Sequence, residues 1–597
     1  MISPSIRLFS YVQIIIYREN CILTFFFFRK IIILYAIIYA EVIHVKVILG
    51  CLNSKYVHAS LAPWCLKAGI AEFCKANINA KVMEATINSN INEYIESIVK
   101  EKPDVLCFSC YIWNIEMTLE ICRKLKSILD CKVILGGPEV SYRAENVIES
   151  YDFIDIVLSG EGEESLPLLL DIIYFKKDLK TADGVTYRLD NKILHTEEKE
   201  YYDTPVSPYT EEFFENLKGR ISYIETSRGC PFRCAFCLSG RCSHLRFFDI
   251  EQIKENIIRL ANSGTKTVKF VDRTFNAYAK RANEIFSFII SSYNKQIPEG
   301  VCFHFEIAGD ILTEETFEIL SVAPSGLIQF EIGMQSFNEE TLRIINRKTN
   351  TAKLIENIRR LVSFDNIHIH IDLIAGLTGE DIESFEKSFN IGFSLKPHML
   401  QLGFLKLLHG AEMRENPEKY PCDFSAVPPY EVIKTPWLSE IEIHQIKRCE
   451  DALERMYNSG RFLFTLDYLI NECGFTPFRL FIDFGNSFNG NRVPLAEYAE
   501  NILGYFGKFC DKEILKEKII CDLMSCSSAT QIPKSFIECS PLYKKIKRFF
   551  NQNPSDANIV ALLMKSNQVY VVNKNSQKNL SGRIQGEFYS LSSLIFE

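Results

Sequence analysis

From about residue 42 the chain alternates short apolar runs with stretches whose apolar positions recur at helical spacing. This is the pattern of buried strands separated by amphipathic helices, and it predicts a parallel α/β sheet. The predicted strands are 45–49, 81–84, 104–109, 132–135 and 156–158. We therefore predict one doubly wound, Rossmann-like domain over residues 42–175. Ligands of such a domain bind at the carboxyl ends of its strands.

A second series of strands and helices follows a connector at 176–217, in which an exposed hairpin is predicted at 184–195. The strands of this series are predicted at 223–226, 267–271, 302–307, 327–332, 368–374 and 398–404. Six β/α units over residues 218–417 predict a partial, TIM-like (β/α)6 barrel. The chemistry of such a barrel lies at the carboxyl ends of its strands.

The alternation stops near residue 417, and a mainly helical C-terminal region is predicted over 418–597. Its helical patterns are 439–459, 461–473, 495–505 and 512–524, and one strand-like run lies at 569–573. A chain of 597 residues is too long for a single core. The fold class that follows is an α/β multidomain protein with a helical C-terminal region.

Residues 1–41 are mostly apolar, but their pattern does not predict a folded element. Arg29 and Lys30 interrupt the apolar blocks, and neither block reaches the roughly 20 residues that a membrane-spanning helix needs. We interpret 1–41 as a disordered or artefactual extension and expect no stable membrane insertion. An interfacial anchor and a true membrane span are the alternatives.

Charge and cysteine content narrow the function classes. The net charge of −8 and the absence of a long basic run do not favour binding to a nucleic-acid backbone, so no nucleic-acid partner is expected. Most of the 20 cysteines lie singly in or beside apolar stretches, where a reduced cysteine behaves as a small hydrophobic residue. We therefore expect a cytoplasmic protein, because disulfides are rare in that reducing compartment.

Three cysteines, Cys230, Cys234 and Cys237, stand close together at the end of the first barrel strand. Thiolates at this spacing suit an iron–sulfur cluster or zinc. A structural zinc would need a fourth ligand, for which Cys242 and His244 are the nearby candidates. A [4Fe–4S] cluster with three protein ligands leaves one iron open to a small molecule.

The segment from Thr226 to Cys237 resembles the signature of the radical S-adenosylmethionine (SAM) superfamily, with Phe236 at the aromatic position that packs on the adenine. The resemblance implies a [4Fe–4S] cluster on the three cysteines. It also implies reductive cleavage of SAM to methionine and a 5′-deoxyadenosyl radical.

The same resemblance implies SAM contacts at successive barrel strands. The residues are Asp272 at the second strand, Glu306 on the third, Glu331, Gln335 and Ser336 on the fourth, and Asp372 and Gly376 on the fifth. The glycine-glycine-glutamate that the family usually carries after the second strand is missing here, and Asp272 stands at that strand end instead.

The region upstream resembles the cobalamin-binding domains that precede many radical SAM barrels. The residues that this resemblance implies for cobalamin are Asn53, Ser54, His58, Ser109, Gly136, Gly137 and Gly160. The aspartate-x-histidine-x-x-glycine motif that supplies a lower cobalt ligand in cobalamin mutases is absent. The C-terminal region resembles the uncharacterised DUF4080-type extension of one subgroup.

We therefore predict a radical SAM enzyme that acts on an unknown small-molecule substrate by C-methylation, oxidation or rearrangement. Its predicted cofactors include cobalamin, and its predicted electron donor is an external flavodoxin- or ferredoxin-like protein. One alternative is an RNA methylthiotransferase, which would need a basic appendage and further cluster cysteines. Cys51, Cys65 and Cys74 do not form such a pattern. The other alternative is a non-catalytic corrinoid-binding protein, which a broken cysteine spacing would have favoured.

Overall fold

The computed structural model describes residues 45–200, 204–241, 244–488, 493–526, 532–537, 540–552 and 557–594. The predicted extension at 1–41 lies outside these residues. The chain forms two compact units, the first from 45–54, 62–200 and Pro205–Pro208, and the second from Lys55–Leu61 and the chain from Tyr209 onward. In the described part of the chain, every helix is too short or too polar to cross a membrane.

The first unit is a seven-stranded sheet in the order β2-β1-β3-β4-β5-β6-β7, and β1 to β5 are parallel. Its strands are β1 (Val45–Asn53), β2 (Ile78–Thr86), β3 (Val105–Ser109), β4 (Lys132–Gly136), β5 (Ile156–Leu158), β6 (Val185–Leu189) and β7 (Lys192–His195). Its helices are α1 (Ala62–Phe73), α2 (Ile91–Glu101), α3 (Ile115–Ile128), α4 (Pro138–Ser141), α5 (Ala144–Ser150) and α6 (Gly162–Tyr174).

Both faces of this sheet are buried. Leu106 and Phe108 belong to one core cluster, whereas Val105 and Cys107 belong to a second. Burial on both faces explains the continuous apolar runs from which the strands were predicted.

The predicted connector contains two strands of the first sheet. β6 pairs antiparallel with β5, and β7 pairs with β6. Val185, Thr186 and Tyr187 are buried. The prediction of an exposed hairpin at 184–195 was therefore wrong for β6, because alternation within so short a run does not reveal which neighbour a strand will pair with.

The second unit contains a six-stranded parallel sheet in the order β15-β14-β13-β12-β11-β8. Its strands are β8 (Ser222–Ile224), β11 (Thr267–Phe270), β12 (Cys302–Ile307), β13 (Ile328–Gln335), β14 (His368–Ala375) and β15 (Met399–Phe404), and the short pair β9 (Ser227–Arg228) and β10 (Arg246–Phe247) lies after β8. The helices around it are α7 (Glu211–Leu217), α8 (Ile250–Ala261), α9 (Ala279–Ser292), α10 (Glu314–Ser321), α11 (Glu339–Ile344), α12 (Thr351–Ser363), α13 (Ile382–Ser394) and α14 (Glu412–Glu415).

Strand alternation separates an apolar side of this sheet from a polar side. On the apolar side Phe270 and Phe305 stack with ring centroids 4.3 Å apart, and Phe286 packs against Phe305. On the polar side the register pairs Lys269 with His304, and Glu306 with Glu331. The polar side chains therefore project together from neighbouring strands.

The edge of the barrel sheet at β8 is covered by the segment Lys55–Leu61. His58 forms a parallel bridge with Ile221, and the amide of Ile221 donates to the carbonyl of Val57 at 2.8 Å. Covering an edge in this way satisfies backbone groups that would otherwise be open to pairing with another chain.

The C-terminal region is more than helical. Its helices are α15 (Glu440–Leu453), α16 (Leu463–Asp467), α17 (Pro477–Ser487), α18 (Leu495–Phe506), α19 (Lys512–Cys526) and α20 (Pro541–Phe549). Its strands are β16 (Asp423–Phe424), β17 (Val432–Lys434), β18 (Asn558–Leu563), β19 (Gln568–Asn573) and β20 (Glu587–Ser590). The last three strands form an antiparallel sheet, of which only the run at 569–573 was predicted.

Candidate active site in the barrel

The cluster loop, residues 229–237 with the three cysteines, follows β8 and the short strand β9. The pairing of β9 with β10 brings the start of the loop against residues 244–247. At this approach Gly229 has a φ of 100°, and a Cβ atom there would clash with the backbone carbonyl of His244. Glycine is therefore required where the chain turns into the cysteine motif.

Asp272 anchors the start of the cluster loop instead of lining the site. Its carboxylate accepts hydrogen bonds from the Thr226 amide at 3.0 Å, the Thr226 hydroxyl at 2.7 Å and the Ser227 hydroxyl at 2.5 Å. Burial raises the pKa of Asp272 to about 6, although these hydrogen bonds oppose the shift. The carboxylate is thus occupied within the protein.

The three cysteines line one cavity at the carboxyl ends of the barrel strands. Of the predicted residues, those that also line it are Phe236, Glu306, Glu331, Gln335 and Asp372. Residues of the cavity wall that were not predicted include Phe232, Arg273, Thr274, Gly333 and Arg347. The structure therefore brings most of the predicted SAM contacts together with the predicted cluster ligands.

Two of the cysteine sulfurs have polar side-chain neighbours. The sulfur of Cys234 accepts a hydrogen bond from Arg347 Nη1 at 3.6 Å, and the sulfur of Cys230 lies 3.4 Å from the hydroxyl of Thr274. Burial raises the pKa of the Cys234 thiol, and the charge and hydrogen bond of Arg347 oppose that shift.

Among the described residues, no group of three or more His, Cys, Asp or Glu side chains has the arrangement of a single-ion metal site. A [4Fe–4S] cluster uses one iron for each cysteine, so its ligands surround a cluster instead of meeting at one ion. The three thiols on the wall of one cavity are the donor set that such a cluster requires, and they fit it.

The carboxylates of the cavity differ in their surroundings. Glu331 lies 3.1 Å from Lys269 Nζ and 2.9 Å from His304 Nε2. Although burial opposes ionisation, the hydrogen bond of His304 and the charge of Lys269 hold the pKa of Glu331 below its usual range. For Glu306, burial and the negative charge of Glu331 raise the pKa to about 7. Near neutral pH Glu331 therefore carries a negative charge, whereas the carboxyl of Glu306 exchanges a proton.

Asp372 is paired within the barrel as well as lining the cavity. Its Oδ1 lies 2.9 Å from His370 Nε2, on the same strand β14. Burial raises the pKa of Asp372, and His370 opposes the shift.

Gln335 enters the cavity from an irregular point in β13. The register between β13 and β14 shifts between Gly333 and Gln335, and Gln335 has a φ of 66°. Its side-chain Oε1 is buried and makes no hydrogen bond. A strained backbone that presents an unsatisfied acceptor to a cavity is a feature of ligand sites, and it fits a hydroxyl or amine of SAM.

The last two predicted SAM residues lie behind this wall. The hydroxyl of Ser336 is buried and donates to Glu380 Oε1 at 2.5 Å. Gly376 has a φ of 90° and faces Val432 of β17. Neither residue is part of the cavity lining. Ser336 instead supports the turn that carries Gln335.

The first unit places the predicted cobalamin residues at the carboxyl ends of its strands, with the exception of His58. Asn53 ends β1, Ser109 ends β3, Gly136 ends β4, and Ser54, Gly137 and Gly160 lie in the loops beyond. The order β2-β1-β3 makes the gap between β1 and β3 the topological switch point, where ligands of such sheets bind.

An aromatic pair stands at this switch point. The rings of Tyr111 and Trp113 stack with centroids 4.5 Å apart, and Trp113 Nε1 donates to the carbonyl of Leu52 at 3.1 Å. Trp113 is 46% exposed. A rigid, exposed aromatic surface beside the strand ends fits a large flat ligand such as a corrin ring.

His58 belongs to the second unit, where its Nδ1 lies 2.6 Å from the hydroxyl of Tyr223. Burial and the charges of Lys55 and Lys269 lower the pKa of His58. The side chain is therefore neutral near pH 7 and is engaged within the barrel.

Sequence reasoning missed Arg347, Lys269 and His304. Strand alternation could have found His304, because it lies two positions from Glu306 on β12, and Lys269 lies directly across from His304 in register. Arg347 had no such signal, since it lies in a turn between α11 and α12 and not at the end of a strand.

Three family models match the chain. The B12 binding domain matches residues 54–170, the Radical SAM superfamily matches 224–391, and a protein family of unknown function, DUF4080, matches 418–584. These matches confirm the three resemblances found in the sequence.

Curated relatives include the cobalamin-dependent radical SAM methyltransferase TokK of Streptomyces tokunonensis, 26% identical over 49% of this chain and 45% of that protein. The hopanoid C-3 methylase of Methylococcus capsulatus is 25% identical over 53% of this chain and 62% of that protein. A tRNA-2-methylthio-N(6)-dimethylallyladenosine synthase of Rickettsia akari is 23% identical over 46% of this chain and 59% of that protein. The chain thus spans about half the length of the curated relatives that it matches.

Solved structures confirm the fold class. The cobalamin-dependent S-adenosylmethionine radical enzyme OxsB superposes with a TM-score of 0.58 over 85% of this chain and 84% of that chain, at 15% identity. The radical SAM methyltransferase TsrM from Kitasatospora setae superposes with a TM-score of 0.51 over 63% of this chain and 75% of that chain, at 16% identity. Both likenesses concern the fold alone.

Proposed function

Because the chain is a radical SAM superfamily protein with a B12 binding domain ahead of its barrel and a DUF4080 region after it, we propose that it is a cobalamin-dependent methyltransferase acting on a carbon atom of a small-molecule substrate. The observation that carries the proposal is the cavity that is lined by Cys230, Cys234 and Cys237 together with most of the predicted SAM contacts. Radical oxidation or rearrangement of the substrate is the alternative outcome of the same cofactors.

The proposal assigns the cofactors to separate parts of the chain. The three cysteines would hold a [4Fe–4S] cluster, and the strand ends beside Trp113 would hold cobalamin. When bound, the cluster supplies the electron that cleaves SAM, and cobalamin supplies a methyl group. The chain contributes binding, orientation and the exclusion of water.

The cavity residues would orient SAM by charge and hydrogen bonding. SAM carries a sulfonium, an ammonium and a carboxylate. Glu331, held ionised by Lys269 and His304, is the fixed negative charge of the cavity, and Arg273 and Arg347 are its positive charges. Gln335 Oε1 would accept a hydrogen bond from a polar group of SAM, because it has no partner in the protein.

Phe232 and Phe236 place two aromatic rings on the cavity wall beside the cysteines. We assign Phe236 to the adenine, in keeping with its position in the signature. Apolar rings at this point would also exclude water from the bond that breaks, which is a general requirement for handling reactive intermediates.

The partners of the proposed reaction are a small-molecule substrate and an external electron donor of the flavodoxin or ferredoxin kind. We place the protein in the cytoplasm. This assignment is supported by the cysteines, because every cysteine that the structure describes is a free thiol.

The test is anaerobic reconstitution with iron, sulfide and hydroxocobalamin, followed by dithionite and SAM. The wild-type protein is expected to retain a corrinoid and to form 5′-deoxyadenosine. Cys234→Ala is expected to lose 5′-deoxyadenosine formation and to keep the corrinoid, because the cysteine and the proposed cobalamin residues lie in different units. Cys422→Ala is the control, since Cys422 is also a free cysteine, is half-buried and is not part of the cavity lining.

The outcomes separate the parts of the proposal. Production of 5′-deoxyadenosine without a bound corrinoid would reject the methyltransferase and keep the radical chemistry. A wild-type protein with a full cluster and with SAM bound, but with no 5′-deoxyadenosine in the presence or absence of candidate substrates, would reject the radical chemistry.

A further inference from the structure

Arg347 brings a guanidinium group to the sulfur of a proposed cluster ligand. Its Nη1 donates to Cys234 Sγ at 3.6 Å, and its Nη2 donates to the carbonyl of Gly333. Its Nε is buried without a hydrogen-bond partner. The side chain therefore spans from the cluster loop to the strand that carries Gln335.

The backbone holds both ends of this contact. The amide of Ala235, next to Cys234, donates to the carbonyl of Ile345 at 2.9 Å, and the amide of Arg347 donates to the carbonyl of Leu342 at 2.9 Å. The turn that carries Arg347 is therefore bonded directly to the cysteine motif. The approach of the guanidinium to the sulfur follows from this backbone connection.

The charge of Arg347 needs an anion nearby. Within the described part of the chain no carboxylate lies at ion-pair distance from it. A partly buried cation without a counter-charge is costly, and a metal-bound cysteine is a thiolate. Cys234 would become the missing anion once it binds iron.

The other two cysteines differ from Cys234 in this respect. Cys230 faces the neutral hydroxyl of Thr274. Cys237 has no side-chain donor on its sulfur among the residues that the structure describes. Arg347 would thus act on one corner of the cluster.

We propose that Arg347 sets the reduction potential of the cluster through its hydrogen bond to the Cys234 sulfur. The inference rests on the proposed function, because it requires a cluster on the three cysteines. Hydrogen bonds to cluster sulfurs are among the factors that set the potential of an iron–sulfur protein. The reduced cluster carries one more electron and therefore interacts more favourably with the cation, so Arg347 raises the potential.

The test is a redox titration of the reconstituted protein without SAM, in which the one-electron reduced cluster is followed by its electron paramagnetic resonance signal. In Arg347→Gln the ratio of reduced to oxidised cluster at a given potential is expected to fall about tenfold, which is a shift of about 59 mV to lower potential. Leaving SAM out separates the contact with sulfur from any contact of Arg347 with that molecule.

Two further variants make the test specific. Arg273→Gln removes a second guanidinium from the same cavity, and Arg273 has no hydrogen bond to a cysteine sulfur among the described residues. Its expected shift is less than half that of Arg347→Gln. Arg347→Lys keeps the charge but loses the two-point contact, and its potential is expected to lie between those of the wild type and Arg347→Gln.

Equal shifts in Arg347→Gln and Arg273→Gln would overturn the inference, since they would show a general effect of charge. A wild-type reduction potential in Arg347→Gln would also overturn the inference. If the glutamine variant retains no cluster, a wild-type potential in Arg347→Lys would overturn it. All of these results assume four irons and four sulfides per chain in the wild type. A wild-type protein that assembles no cluster would instead refute the proposed function.

Discussion

The hydroxyl of Ser227 donates a hydrogen bond of 2.5 Å to Asp272, and through this bond the carboxyl end of β11 holds the start of the cysteine loop. The Thr226 amide and hydroxyl donate to the same carboxylate. Three donors converge on one buried acceptor, so the loop is tied down before the first cysteine. This makes Asp272 a residue that supports the site without lining it.

We expect Asp272→Ala to lose most of its bound iron after gel filtration, because the buried donors at 226 and 227 would be left unsatisfied at about 1–3 kcal/mol each. Asp272→Asn, which keeps one acceptor oxygen, should lose less. Iron and sulfide analysis after reconstitution measures this. Asp423→Ala removes a solvent-exposed carboxylate that pairs with Lys434 and serves as the control. Full cluster retention in Asp272→Ala would contradict the assignment.

The bulge in β13 leads to a second prediction. A Cβ atom at position 333 would clash with the side-chain amide of Gln335, so Gly333→Ala should displace that amide from the cavity. We expect the Kd for SAM to rise about tenfold, the equivalent of roughly one hydrogen bond. Equilibrium binding of labelled SAM to the reconstituted protein measures the effect.

Gly504→Ala is the matched control for this change. A Cβ atom at Gly504 meets no other atom within 4 Å, and the residue lies inside helix α18. This variant should bind SAM as the wild type does and should be slightly more stable, because alanine is a better helix former than glycine. An unchanged Kd in Gly333→Ala would show that Gln335 does not contact SAM.

The polar side of the barrel shows how much of the candidate site could be predicted from the sequence. Glu306, Glu331 and Asp372 were predicted because each lies near the carboxyl end of a strand, and the structure places them in one cavity. Asp272 and Ser336 met the same criterion, but they are held by Thr226, Ser227 and Glu380 in the protein interior. The position of a residue on its strand predicts that it lies at the carboxyl end of the barrel. Whether its side chain points into the cavity depends on contacts with segments that are distant in sequence.

Glu306 gives the site a predicted dependence on pH. Its pKa in the folded protein is raised from an ordinary value of 4.5 to about 7. Between these values the folded state binds more protons than the unfolded state, so this group's contribution to stability is present below about pH 4.5 and is lost as the pH rises to about 7. Glu306→Gln removes the ionisation, so its free energy of unfolding relative to the wild type should be about 3 kcal/mol higher at pH 8 than at pH 4.5.

Urea unfolding of the apoprotein across this pH range measures the difference in free energy of unfolding, taken from the transition in which the barrel unfolds. Glu340→Gln is the control, since Glu340 is an exposed partner of Arg343 whose pKa is lowered by their hydrogen bond. Its stability difference from the wild type should be small and opposite in sign. A constant difference between Glu306→Gln and the wild type from pH 4.5 to pH 8 would show that Glu306 does not titrate in this range.

The exposed tryptophan of the first unit supports a prediction about cobalamin. Trp113→Ala should retain several-fold less corrinoid after gel filtration, because a stacked aromatic surface at the switch point would be lost. Visible absorption of the bound corrinoid measures this. Trp437→Ala is the control, since Trp437 is also partly exposed but lies in the other unit. Equal retention in both variants would place cobalamin away from Trp113.

The regions beyond the barrel could be predicted less completely, for a physical reason. β6 and β18 to β20 pair antiparallel with strands that are neighbours in the fold, and their runs are short. The helix α17 begins at Pro477, and its exposed residues Arg479, Asp483 and Ser487 recur at helical spacing. The periodicity of this helix was therefore present in the sequence, although the helix was not predicted.

The C-terminal region contains an ion pair whose energetics can be tested without any cofactor. Asp522 is fully buried and lies 2.9 Å from Arg583, and it accepts hydrogen bonds from the amides of Phe464 and Thr465. Burial raises the pKa of Asp522, and Arg583 opposes the shift. Removal of the arginine would leave a buried carboxylate without a cation.

We expect Arg583→Met to lose about 3–5 kcal/mol of unfolding free energy near pH 7, the cost of breaking a buried pair at one partner. The loss should shrink as the pH falls, because Asp522 in this variant would take up a proton and become neutral. Arg479→Met removes the partner of Glu386 from an ion pair at the surface and should cost less than about 1 kcal/mol. Urea unfolding at two pH values measures the loss of unfolding free energy for each of the two variants at each pH. A loss in Arg583→Met that is independent of pH would mean that packing of the arginine, and not the unpaired charge of Asp522, accounts for the destabilisation, since only the charge depends on protonation.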